Sequence, residues 1–242
     1  MNALLSVRNL TRRFGALRAV NELSFSVMPG ELVGLIGPNG AGKSTLYNLL
    51  AGALRPSSGE ILLQGRQVAG WKPYQAARAG VARTFQIPKP YRHLCVIENV
   101  ALSALLHARS ISAARAQAHA ILADVGLADY AEATVGVLTV GLLKRLEVAR
   151  ALALQPKLVL FDEIMAGLTP AEVRSMTDLV AMLPARGITV VWVEHVLYAI
   201  MKTVPRVMVL NRGELIADGA PDAVARDAAV IKAYLGEDPK FA

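Results

Sequence analysis

"GPNGAGKST", Gly37 to Thr45, is the stretch from which the fold can be read. It satisfies G-x-x-x-x-G-K-[ST], with Gly37, Gly42, Lys43 and Ser44 at the defining positions and Pro38, Asn39, Gly40 and Ala41 between them. Glycines let the backbone curl so that successive N–H groups point inward and cradle phosphate oxygens. The context that this reading requires is present: "ELVGLIG" is a short apolar strand before the loop, and "KSTLYNLLAG" is a helix after it, closed by Gly52. The helix N-terminus adds partial positive charge, and Lys43 adds a full charge against the β- and γ-phosphates. Ser44 is placed to bind Mg²⁺. Residues 37–45 therefore form a nucleoside triphosphate site.

Kinases, GTPases and transport ATPases all use such a cradle, and a second strand narrows the choice. "LVLFDE" places Asp162 and Glu163 at the end of a buried strand, where ligands of open α/β sheets gather. Asp162 can hold Mg²⁺ through water, and Glu163 can orient and polarise an attacking water. A GTPase needs an Asn-Lys-x-Asp base reader, and none occurs. The acidic pair favours hydrolysis over transfer to a small acceptor. Three further residues fit this picture. Gln86 in "VARTFQ" follows a strand and can touch Mg²⁺ or the water. His195 in "VVWVEH" ends another core strand, within reach of a γ-phosphate. Phe14 in "RRFG" can stack on adenine. Each taken alone also reads as capping or packing.

The 242 residues suit one large α/β domain, or a core with a smaller subdomain. A hydrophobic share of 54% and a mean hydropathy of +0.40 point to an extensive core. No run free of Asp, Glu, Lys and Arg exceeds about 11 residues, against the roughly 20 needed to cross a bilayer. One cysteine, Cys95, excludes an internal disulfide and suits a reducing compartment. The net charge of +7 is concentrated early: residues 1–95 hold 12 Lys and Arg against 3 acids. Arg66, Lys72, Arg78, Arg83, Lys89 and Arg92 are interleaved with Trp71, Tyr74, Phe85 and Tyr91. Nucleic acid, an anionic membrane surface, an acidic partner or plain solvent can each face such a segment.

"LLSVRNL" and "NELSFSV" alternate as half-exposed strands do, and "SGEILLQGRQV" is a third with turns at both ends. From about Pro88 to Gln155 the pattern is helical. Within it, "LTVGLLKRLEVAR" (Leu138 to Arg150) reads as an amphipathic helix with Leu142, Leu146, Ala149 and Ala153 on its packed face. Lys144, Arg145, Glu147 and Arg150 lie off that face. "KLVLFDE" and "GITVVWVEH" are buried parallel strands. "RVMVLNRGELIADG" is a hairpin turning at Asn211-Arg212-Gly213, and "PDAVARDAAVIKAYLG" is helix. The expected fold class is α/β, with a parallel core, an antiparallel sheet mainly at the front and a helical insert.

With these stretches in place, the chain resembles the ATP-binding subunit of ABC transporters. It is most similar to the subfamily that serves branched-chain amino acid importers. The resemblance is carried by "LTRRFGALRAVNELSFSV", "GPNGAGKST", "GVARTFQIPKPYRHLCVIENV", "LEVARALALQPKLVLFDEIMAGLTPAEV", "WVEHV" and "VIKAYLGE", which span nearly the whole length. It implies a P-loop NTPase of ABC type forming one domain over 1–242, with a RecA-like core. Residues 1–30 and 55–70 would be the antiparallel β subdomain, and 31–54, 71–87 and 156–204 the nucleotide-binding core. Residues 88–155 would be the helical subdomain, and 205–242 a C-terminal hairpin and helix. By the same resemblance, Gly37–Thr45 are Walker A, Phe14 is the adenine-stacking position and Gln86 the Q-loop residue. Asp162 and catalytic Glu163 close Walker B, and His195 is the switch histidine. Ser44, Gln86 and Asp162 would serve Mg²⁺.

Leu138, Thr139, Val140, Gly141 and Leu142 occupy the place of the L-S-G-G-Q signature, which presses on the partner's ATP. Thr139 keeps a hydroxyl and Gly141 is intact, whereas Val140 and Leu142 depart from the pattern; Val140 is costly only where φ must be positive. Ile164 replaces the usual proline, and Thr169 the D-loop aspartate. The implied partners are a second ATPase subunit, identical or different, two integral membrane permease subunits and, indirectly, an external solute-binding protein. The implied location is the cytoplasmic face of the inner membrane, held peripherally, and no nucleic acid is expected. The contrasting reading is a non-transport ABC ATPase acting on nucleic acid or ribosomes, with the basic segment as its footprint. A third is a nucleotide-gated adaptor without useful turnover.

Overall fold

The computed structural model describes residues 2–194 and 197–235. The chain opens with strands β1 (Leu5–Phe14) and β2 (Leu17–Val27), a longer hairpin than the alternation alone marks. The extra length comes from bulges. The register slips between Val7 and Leu10 and twice more before Arg13, which lets the polar run "TRRF" stay in the ladder. Strands β3 (Leu32–Ile36), β4 (Ser58–Leu63) and β5 (Arg66–Gln67) follow, with helix α1 (Lys43–Leu50) between β3 and β4. Four of these strands form an antiparallel sheet in the order β2-β1-β4-β5.

β3 leaves for a second sheet. After α2 (Pro73–Arg78) come β6 (Val81–Arg83), the helices α3 (Val96–Ala104), α4 (Ile111–Asp124) and α5 (Val140–Ala153), and then β7 (Leu158–Asp162). Next are α6 (Pro170–Ala181), β8 (Thr189–Val193), α7 (Leu197–Thr203), β9 (Arg206–Asn211) and β10 (Glu214–Gly219). The order of this sheet is β10-β9-β3-β8-β7-β6; every pairing is parallel except β9–β10. β3, β7 and β8 are buried at every residue, as their continuous apolar runs require. Alternate residues feed two cores. Leu158, Leu160, Val191 and Val193 pack with α1 and the antiparallel sheet, whereas Val159, Phe161, Val190 and Trp192 pack with the helices. The loop after β3 and the acids after β7 thus emerge at the same end of the sheet, with β8 between them.

Three expectations need adjusting. The β9–β10 turn is Arg212-Gly213, both at positive φ, with Asn211 paired to Glu214 inside the ladder. Residues 221–235 form two short helices, α8 (Pro221–Ala225) and α9 (Ala228–Leu235), broken where Asp227 caps the second by accepting from Ala229 N–H. The third concerns α5: Lys144 and Glu147, expected off the packed face, are both buried. This helix is covered almost all round, because α3 and α4 pack on one side and the loop after β6 lies on the other.

Candidate functional site

The loop after β3 is bent by three glycines at positive φ: Gly37, Gly40 and Gly42. Only Gly can sit at position 42, at φ 103°, because a Cβ there would collide with the carbonyl oxygen of Ala19. The loop is stitched to its surroundings by Gly213 N–H donating to Ala41 O and Asn21 N–H donating to Gly213 O, each at 2.9 Å. Lys43 opens α1 and is buried. Its ammonium donates to Gly37 O at 2.6 Å and Pro38 O at 3.0 Å. Burial pushes its pKa down, against the pull of Glu163 and Asp162. A cleft of about 570 Å³ lies over the loop, and Phe14, Asn39 to Thr45 and Glu163 all line it. Phe14 is 44% exposed, with the Arg12 guanidinium 4.6 Å from its ring centre.

The acid pair sits at the end of β7. Asp162 accepts from Arg83 Nη2 at 2.8 Å, and Arg83 Nη1 reaches Asn48 Oδ1 of α1 at 2.5 Å. Beneath them the buried Tyr47 hydroxyl lies 3.1 Å from Phe161 O and 2.8 Å from Val191 O, pinning α1 to the sheet. Glu163 adopts φ 50°, a left-handed conformation that non-glycine residues adopt mainly at special sites. It is fixed there by its own N–H donating to Val193 O. Gln86 Nε2 donates to Glu163 Oε2 at 2.5 Å, so the structure brings these two predicted residues together. Gln86 therefore keeps its carbonyl oxygen for another partner.

Ser44, Gln86 and Asp162 offer a hydroxyl, an amide carbonyl and a carboxylate. That all-oxygen set suits Mg²⁺. Among the described residues no three His, Cys, Asp or Glu side chains cluster as a metal cage. Such a set fits a cation that draws its other ligands from phosphate and water. His195, assigned from sequence to the same site, lies outside the described residues.

Residues 138–142 are elsewhere: none of them is among the described residues lining the cleft. Leu138 is buried, Val140 is 54% exposed, and Thr139 caps α5 by accepting from Leu142 N–H at 3.3 Å. Val140 has ordinary helical geometry as the first residue of α5, so the missing glycine costs nothing in backbone strain. A Cβ at Gly141 would run into the Glu172 carboxylate, which would have to swing aside. That carboxylate accepts from Thr169 N–H and Thr169 Oγ1–H, each at 2.8 Å. Thr169, at the D-loop position, is thus the cap of α6.

A strand-loop-helix phosphate cradle and an acid pair two strands away mark a P-loop nucleotide site, and the comparisons say of which family. Residues 20–166, more than half of the chain, match the family model described as ABC transporter. The chain belongs to the ABC transporter ATPase family. Residues 214–240 of this ABC ATPase match a second model, described as branched-chain amino acid ATP-binding cassette transporter. The high-affinity branched-chain amino acid transport ATP-binding protein LivG of Escherichia coli is 38% identical, covering 97% of this chain and 98% of its own. The protein of the same description from Pseudomonas aeruginosa, BraF, is 36% identical with the same coverage. The solved structure of a nucleotide-free ATP-binding cassette from an ABC transporter superposes with a TM-score of 0.88 at 29% identity, covering 98% of this chain and 100% of that one.

Four residues that sequence patterns do not mark buttress the predicted ones: Tyr47, Arg83, Lys144 and Glu194 contact Asp162, Glu163 or the backbone beside them. Glu194 is buried, accepting from Met165 N–H at 2.8 Å, and burial raises its pKa to about 7. A charge at the end of a buried strand (Arg83, Glu194) was the signal available for two of them. Tyr47 gave none, because its hydroxyl is spent on backbone.

Proposed function

We propose that this chain is the ATP-hydrolysing subunit of an ABC importer for branched-chain amino acids or a related small polar or amphipathic solute. Its place would be peripheral, on the cytoplasmic face of the membrane that holds its permease partners. Among the described residues no helix is long and apolar enough to cross a membrane; in this reading the permease subunits would form the membrane path. The relatives' printed roles and the match of residues 214–240 support the transport assignment.

The observation that carries the mechanism is the separation of parts. Lys43 and Glu163 meet at one cleft, while residues 138–142 lie outside it. A second subunit facing the first would lend its own 138–142 loop to complete the site. In that arrangement Phe14 stacks on the adenine, and the loop N–H groups and Lys43 hold the phosphates. Ser44, Gln86 and Asp162 would hold Mg²⁺, which neutralises charge on the β- and γ-oxygens. Glu163, turned toward the cleft by its left-handed backbone, orients and polarises the attacking water, with Gln86 beside it. His195 is assigned to the γ-phosphate by resemblance. Thr139 keeps its O–H hydrogen to donate, because the cap uses only its lone pair. The α5 N-terminus behind it adds roughly 0.3–1 kcal/mol toward an anion.

The test is Glu163→Gln in the assembled transporter. ATP binding is expected to persist, turnover to fall by at least a hundredfold, and the closed pair to accumulate. Wild-type turnover in that variant would remove Glu163 from the mechanism. Capture of the external binding protein, followed by identification of its ligand, settles the solute. Salt-sensitive nucleic-acid binding with no membrane partners would instead support the non-transport reading.

A further inference from the structure

One strip of α5 holds the Q-loop. Lys144, Glu147 and Arg150 succeed each other at three-residue intervals, and all three engage the segment after β6. The Lys144 ammonium donates to Gln86 O, and to Glu163 O at 2.9 Å. Glu147 Oε1 accepts from Lys89 N–H at 3.1 Å and from Arg150 Nη1 at 2.6 Å. Arg150 Nη1 also donates to Lys89 O at 2.8 Å, and its guanidinium lies 5.0 Å from the centre of the Tyr91 ring. Lys144 is 2% exposed. An ammonium taken that far out of water needs partners, and its hydrogen bonds go to the backbones of the two residues whose side chains pair with each other, Gln86 and Glu163.

We propose that Lys144 is a positioning residue for hydrolysis, fastening the helix that carries the 138–142 loop to the Gln86–Glu163 pair. The inference rests on the functional reading above. Lys144 stands about one helical turn behind Gly141, so the loop and the ammonium move together. A slide of α5 by about 1 Å takes the ammonium beyond hydrogen-bond reach of one carbonyl or both. Contact between the 138–142 loop and the opposing subunit's nucleotide is thereby linked to the water-orienting carboxylate of this subunit's own site. Thr169 is badly placed to make that link, because its hydroxyl is committed to Glu172 within its own cap. Burial pulls the pKa of Lys144 down, while Glu194, Glu163, Glu147 and Asp162 around it act against that pull.

The test uses the transporter reconstituted from this chain and the subunits that co-purify with it. Lys144→Met keeps the apolar stem and removes the ammonium. The expected result is a kcat at least tenfold lower, with the ATP Kd of the purified chain within twofold of wild type and an unchanged melting temperature. Lys144→Arg is expected to recover much of the lost rate. A Lys144→Met transporter with wild-type kcat overturns the inference. So does a kcat loss that runs in parallel with equal losses of ATP affinity and thermal stability, since that marks a merely structural role. If Lys144→Met does not fold, Lys144→Met/Glu194→Gln, which removes both buried charges, is compared with Glu194→Gln by the same criteria. A wild-type transporter that hydrolyses no ATP overturns the functional reading itself and the inference with it, whereas an active wild type beside an equally active variant overturns the inference alone.

Discussion

Glu194→Gln is expected to make the protein clearly more stable above neutral pH and only slightly more stable at pH 5. Glu194 follows directly on β8 and is 2% exposed. Burial is the largest influence on its carboxyl, and the like charge of Glu163 acts in the same direction. The Met165 N–H, the Trp192 Nε1–H and the Lys144 ammonium only partly offset them. Its pKa moves from 4.5 to about 7. Because the folded value is the higher one, the folded protein binds this proton more tightly than the unfolded chain does. The stability that this confers is complete below about pH 4.5, declines as pH rises and is gone above pH 7. At 1.36 kcal/mol per pKa unit the loss amounts to about 3 kcal/mol. The amide keeps the shape and the acceptor oxygen without the charge, so the variant escapes the loss. Melting curves of both proteins from pH 5 to 8.5 measure it. For a chain of this size the difference in Tm is expected to grow from about 2–3 °C at pH 5 to roughly 6–12 °C at pH 8. A difference independent of pH would refute the assignment of this proton to Glu194.

Gly42→Ala places a Cβ against Ala19 O at a φ that alanine resists, so the ATP Kd is expected to rise at least tenfold by calorimetry. Arg83→Met strands the buried Asp162 carboxylate. Denaturant unfolding is expected to show a loss of about 3–5 kcal/mol, and a loss below 1 kcal/mol would mean that Asp162 finds another partner. Phe14→Ala is expected to weaken ATP binding by about 1 kcal/mol, roughly fivefold in Kd. An unchanged Kd would return Phe14 to packing alone.

Much of the architecture could be read directly because its signals are local. β3, β7 and β8 are short apolar runs bounded by turns, and Gly37 to Thr45 carry a pattern whose backbone geometry is set by the glycines themselves. The P-loop and the acid pair stand where those strands end. Other features depend on neighbours distant in sequence. The bulges that carry "TRRF" through β1 come from its pairing with β2 and β4. Lys144 and Glu147 looked like solvent-facing charges because helical periodicity records what is polar, not what covers it. Their cover is the segment 86–91, brought there by the β6–β7 pairing. Arg83 and Glu194 were hidden for the same reason: a charge in a buried strand becomes meaningful only when its partner, Asp162 or the Lys144 region, arrives from another element.

The place of β3 in its sheet also fixes when the nucleotide cradle can exist. β3 is complete at Ile36, yet the strands on its two sides, β8 and β9, begin at Thr189 and Arg206. Gly213, which bonds the cradle at Ala41, comes later still. At a synthesis rate of about 5–20 residues per second, a nascent chain on the ribosome waits roughly 10–30 s between making this apolar strand and making its flanks. During that interval the β1–β2–β4 ladder can assemble from residues already emerged, while β3 is left with unpaired edges. Pulse-labelled nascent chains truncated before residue 189 should therefore be the ones that chaperones hold and proteases cut near β3.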